Sequence, residues 1–110
     1  MTEKRAIREN EKELILFLLN HLSLKAADYP ISEYVEEYEG GIMGSIGLGE
    51  PGAVYHSDLI QVEYTDSDNT EVLITLTRDD KNQLLDLDFW KVDFSKLLLY
   101  PKPENITFRD

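Results

Sequence analysis

The chain has 110 residues, the size of one domain, so residues 1–110 are read as a single domain. With 42% hydrophobic and 10% aromatic residues it is too apolar to be disordered, and with no cysteine it excludes a disulfide scaffold, thiolate zinc sites and cysteine catalysis. Eleven bases against 22 acids give a net charge of −11, which argues against nucleic acid as a ligand, because a phosphate backbone is bound by Lys and Arg.

The first apolar run, Leu14–Leu19, is six residues long and is followed by Asn20 and His21, too short for a signal peptide or a membrane span. The expectation is a soluble, cytoplasmic protein with no membrane association. Residues 9–22 read as a helix. Leu14, Ile15, Leu18, Leu19 and Leu22 form one apolar stripe, and Glu9, Glu11 and Glu13 crowd the first turns, where the helix dipole favours acids. Leu16 and Phe17 fall off that stripe. Such a helix packs into a groove or meets a second copy of itself, which makes a homodimer through this helix one candidate assembly. Pro30 then ends the helical region.

Five strands follow, at about 32–38, 43–48, 59–65, 70–77 and 83–90, the first two joined at Gly40-Gly41. Ile60, Val62 and Tyr64 alternate with polar neighbours. Val72, Ile74 and Leu76, then Leu85, Leu87 and Phe89, show the same period of two. The turns Asp66–Asn69 and Asp79–Asn82 are rich in residues that hydrogen-bond their own backbone. Short connections predict a meander, with Val62 opposite Ile74 and Leu76 opposite Leu85. The fold class is α+β: an N-terminal helix on one twisted antiparallel sheet of about five strands, with a short irregular tail and a candidate helical turn at 95–98.

The segment Asp86-Leu87-Asp88-Phe89-Trp90-Lys91-Val92-Asp93-Phe94 is unusual, as is Glu39-Gly40-Gly41 followed by Met43-Gly44-Ser45. Both segments, with Arg5, Glu11, Leu14 and Ile15, resemble a family of small, uncharacterised, mostly bacterial proteins catalogued as a domain of unknown function. Its late signature reads Glu-Leu-Asp, any residue, Trp-Lys, any residue, Asp-Phe. Ile42 is inserted relative to that pattern, Glu39 and Asp86 exchange acid type, and Lys96 stands where proline is usual. The resemblance implies a shared fold and brings no activity with it.

Known chemistries fit poorly. Ser45, His56 and Asp58 are triad residue types, but no glycine stands two residues before Ser45 to signal a nucleophile turn. Asp66, Asp68 and Glu71, or Asp79 and Asp80, are oxygen donors without the spacing of a calcium loop, so no metal is expected. The glycine segment at 40–49 lacks the lysine and helix start of a phosphate cradle, so no cofactor is expected either. Gly40, Gly41 and Gly44 read instead as hairpin residues.

Charge is the remaining signal. Residues 26–90 hold fifteen acids against Arg78 and Lys81, a net of −13, and both ends are near neutral. Solubility alone explains such charge; a basic protein partner explains it as well. On the last strand Asp86, Asp88 and Trp90 share the face opposite the core and, with Glu63, are the candidate partner-binding residues. The favoured expectation is that the tail from Val92 to Leu99 covers Trp90, with Asp93 capping the turn and Phe94 completing a structural motif. The alternative leaves Trp90 exposed as an anchor in an acidic rim. The function expected is a small acidic non-catalytic protein that binds a macromolecule, as an immunity-type inhibitor or a carboxylate imitation of nucleic acid. The rival is a small-ligand protein or hydrolase with a pocket near the glycine-rich hairpin.

Overall fold

A computed structural model describes residues 4–38 and 42–108. In chain order the elements are β1 (Lys4–Ala6), α1 (Glu9–His21), β2 (Tyr34–Glu37), β3 (Ile46–Gly47), β4 (Tyr55–Thr65), β5 (Glu71–Asp79), β6 (Leu84–Lys91), a 3-10 turn at Pro103–Asn105 and β7 (Thr107–Phe108). The α+β class holds, with one helix on an open antiparallel sheet, but the sheet has seven strands, not five, in the order β1-β2-β3-β6-β5-β4-β7. The two additional strands are the edges, three and two residues long, too short to show a period of two.

The expected meander is confined to β4-β5-β6. β3 pairs with β6 rather than with β4, which inserts the hairpin β2-β3 beside the last long strand. Val62 does face Ile74. Leu76 faces Leu87 rather than Leu85, because an irregularity between Leu76 and Arg78 brings Arg78 opposite Leu84. The slip is two residues, so Asp86, Asp88 and Trp90 keep their face, but the buried residue before Leu87 is Leu84, and Leu85 is half-buried. Asn69 and Asn82 take left-handed backbone in the turns where Asx-rich sequence marked them.

One face of the sheet is the core. Leu14, Ile15, Leu18 and Leu19 of α1 pack with Val35, Ile46, Val62, Ile74, Leu76, Leu87 and Phe89, all essentially inaccessible. Part of the surplus apolar surface of the helix is used within the chain: Phe17 lies 5.6 Å from Phe108, and His21 stacks on the same ring at 3.6 Å. Leu16 stays exposed.

The tail forms no helical turn at 95–98. Instead it is held by a buried ion cluster that sequence reasoning missed. Lys91 is 0% exposed, and its ammonium donates to Asp66 Oδ2 at 2.8 Å, Asp68 Oδ2 at 2.8 Å and the Lys96 carbonyl at 2.9 Å, one acceptor for each N–H. The Asp66 carboxylate also accepts from Ser67 N, Leu98 N and Leu99 N, and Tyr64 Oη donates to the Leu99 carbonyl. Lys91 shares the parity of Leu87 and Phe89, so alternation alone points it into the core.

Candidate functional site

Among the described residues no helix covers the other face of the sheet, and the strand registers set its composition. Lys4 lies opposite Glu36, Glu36 opposite Gly47, and Gly47 opposite Asp86. Asp88 faces Thr75, Trp90 faces Leu73, and Leu73 faces Glu63. The ladders thus bring Glu36, Glu63, Glu71, Asp86 and Asp88 onto one surface. Among the described strand residues the base they place there is Lys4, at the β1 edge. All four candidate partner-binding residues, Asp86, Asp88, Trp90 and Glu63, share this face.

The centre is organised by hydrogen bonds. Tyr38 Oη donates to Asp86 Oδ1 at 2.7 Å. Gly47 lies beneath it, and a Cβ there would force the Tyr38 ring to shift and so disturb this hydrogen bond. Burial pushes the Asp86 carboxyl above the ordinary range, and the charges of Asp88 and Glu36 add to the rise against the opposing Tyr38 hydrogen bond. Burial and the bond to Asp86 likewise raise the Tyr38 phenol. Three acids therefore repel one another around one phenol.

Ser45 is part of this framework rather than a nucleophile. Its Oγ accepts from Phe89 N at 2.8 Å, and its hydroxyl faces Asp88 Oδ1 at 3.0 Å and the Phe89 carbonyl at 3.2 Å. His56 is on β4, with β5 and β6 between it and β3; it touches Ser57, while Asp58 accepts from Tyr55 Oη. The three triad residue types are not brought together. Among the described residues no group of three or more His, Asp and Glu side chains is placed to hold a metal ion.

Trp90 is not covered by the tail. It is 50% exposed, because Asp66 and Lys91 draw residues 96–99 to the core side of the sheet, away from the indole. It meets the ring of Phe94, with centroids 6.1 Å apart and planes tilted by 40°. Phe94 is 71% exposed and has φ +62°, left-handed backbone that is strained for a bulky residue. The turn that holds it is the one expected at Asp93, whose Oδ1 accepts from Ser95 N and Ser95 Oγ. Gly44 has φ +95°, left-handed backbone, and a Cβ there would lie 3.2 Å from Leu97 Cδ2; Gly40 and Gly41 lie outside the described residues.

A family model for a domain of unknown function, DUF6984, matches residues 4–101. The chain belongs to this family. The match takes in Arg5, Glu11, Ser45 and the whole stretch from Asp86 to Phe94. No curated protein and no solved structure is significantly similar to the chain. Among the described residues no helix is long and apolar enough to cross a membrane.

Since this is the one tryptophan of the chain, its fluorescence reports this face alone. The expected result is emission typical of solvent-exposed indole, and a cost of about 1 kcal/mol or less for Trp90→Ala, against roughly 3–5 kcal/mol for a buried aromatic. A blue-shifted spectrum with a loss in the higher range would put the ring back in the core.

Proposed function

We propose that this protein is a non-catalytic binding module that takes a basic protein partner on the uncovered face of its sheet. The observation that supports this reading is a half-exposed tryptophan flanked by Asp88 on its own strand, among Glu36, Glu63, Glu71 and Asp86. An aromatic anchor with a charged surround is the composition of an interaction hot spot, and like charge held together favours fast, steered association with a cationic surface. Burial is the main reason that the Asp86 carboxyl is raised, and the charges of Asp88 and Glu36 add to it; that added repulsion is relieved when a cation arrives. An immunity-type inhibitor of a basic toxin is one concrete form. A nucleic-acid imitation fits less well, since a row of carboxylates has no use for an indole at its centre. A hydrolase is disfavoured by the separation of Ser45 from His56.

The test is titration with a synthetic Arg- and Lys-rich peptide at low and high salt. Binding should weaken steeply as salt rises. Asp86→Asn with Asp88→Asn should weaken it about thirty-fold, because each removes a charge worth on the order of 1 kcal/mol at close range. Neutralising Asp80 and Glu104, exposed acids off this face, should have a much smaller effect. Equal losses from the two double variants would reduce the acidic face to a solubility device.

A further inference from the structure

Beside Trp90 the face is indented. An open notch of about 570 Å³ is lined by Tyr38, Met43, Ser45, Asp88, Phe89, Trp90 and Phe94, within the range of small-ligand sites. Its walls are of two kinds. Trp90 and Phe94 supply exposed aromatic surface, and Asp88 supplies a carboxylate whose Oδ1 is engaged by Ser45 and whose Oδ2 has no hydrogen-bond partner among the described residues. Asp88 and Trp90 stand two positions apart on one strand and one face, so their side chains emerge about 7 Å apart. That separation lets one planar cation lie on the indole while its edge reaches the carboxylate. The backbone strain at Phe94 is retained although the ring gains little burial from it, and its position completes the aromatic wall.

Resting on the binding reading above, we propose that this notch takes the guanidinium of an arginine side chain from the basic partner, stacked on Trp90 and Phe94 and donating to Asp88 Oδ2. Arginine suits it better than lysine. A guanidinium is planar, stacks on aromatic faces and carries paired N–H groups, whereas an ammonium is a compact and strongly hydrated point charge. Charge complementarity is set by Asp88 with Asp86 and Glu36 behind it. A second groove on this face, of about 360 Å³ between Tyr34, Glu36, Gly47 and Gly49, carries Lys4, which repels a cation.

The probe is N-acetyl-arginine amide, with its citrulline and lysine counterparts, added to the full chain while Trp90 emission and amide shifts are followed. The expected result is a saturable change at Trp90, with amide shifts centred on Asp88, Trp90 and Phe94. Citrulline amide should have no effect, and lysine amide should bind several-fold more weakly. Asp88→Asn and Phe94→Gly should each weaken the arginine response about three- to ten-fold. Both variants should stay folded, because asparagine keeps the Ser45 contact and glycine suits the left-handed backbone at 94. An arginine response matched by citrulline, or unchanged in Asp88→Asn, overturns the proposal, and equal binding of lysine amide overturns the assignment to guanidinium. If the basic peptide binds with the expected Asp86 and Asp88 dependence while arginine amide leaves Trp90 unmoved, the notch fails and the face stands. If arginine amide binds and the peptide does not, the notch stands and the macromolecular reading fails.

Discussion

Asp66→Ala is expected to destabilise the protein by about 3–5 kcal/mol, the usual cost of leaving a buried charge without its partner. Lys91 is wholly enclosed, and removing Asp66 leaves it one exposed carboxylate and one carbonyl. The same change frees the amides of Leu98 and Leu99, so the tail should lose hydrogen-exchange protection first. Adding Lys91→Met should restore part of the loss, because two apolar residues tolerate burial better than one orphaned ion. What the double variant fails to restore measures the tail anchoring. A melting midpoint unchanged in Asp66→Ala would show that the cluster contributes nothing.

The cluster also sets the acid limit of the fold. Burial opposes the charge on Asp66, but the amides of Leu98, Ser67 and Leu99 and the Lys91 ammonium prevail and hold its carboxyl at about 2. Because this value is below the ordinary one, its contribution is fully present above about pH 4 and is lost as pH falls towards 2. Asp86 acts in the opposite sense. Its raised carboxyl makes protonation favourable in the folded state, so that site gains stability as pH falls through its folded value. Thermal melts from pH 6 to pH 2 should therefore hold steady first and fall steeply only at the acid end. Asp66→Ala should remove much of that final fall.

The contrast between these two aspartates shows what was legible in the sequence. Alternation placed Asp86, Asp88 and Trp90 on one face correctly, and a register error of two residues left the result unchanged, because face depends only on parity. Parity put Lys91 inside by the same rule. A lysine is read as a surface residue, however, unless its counter-ions are known, and Asp66 and Asp68 lie 25 and 23 positions away. The exposure of Trp90 was illegible for the same reason, since the path of the tail is fixed by Asp66 and not by any pattern within residues 92–99. The irregularity before Leu87 and the β3-β6 pairing depend on contacts between distant segments and have no local signal. The edge strands β1 and β7, three and two residues long, are too short for a period of two to repeat.

Glu11→Ala is expected to cost about 2–4 kcal/mol, and to do so at one corner of the molecule. The side chain is 2% exposed on the first turn of α1, where composition suggested an acid favoured by the helix dipole and the family resemblance paired it with Arg5 without giving a reason. Its Oε1 accepts from Arg8 N at 2.8 Å, capping the helix, and its two oxygens take Arg5 Nη1 at 2.9 Å and Nη2 at 2.7 Å as a bidentate pair. Arg5 Nε lies 3.1 Å from Glu37 Oε2 on β2. One carboxylate therefore fastens β1 to the helix start, and Arg5 passes the restraint on to β2. The cost is set below that of Asp66 because Arg5 keeps Glu37 and partial contact with water. Amide exchange locates the effect: Glu11→Ala should expose the ladder between Lys4–Ala6 and Tyr34–Glu36 while β4-β5-β6 keeps its protection. Because Glu36 belongs to the acidic face, loosening this corner should also weaken binding of the basic peptide, although Glu11 lies on the opposite side of the sheet. Uniform loss of protection across the whole sheet would show instead that the Arg5–Glu11 pair supports the core as a whole.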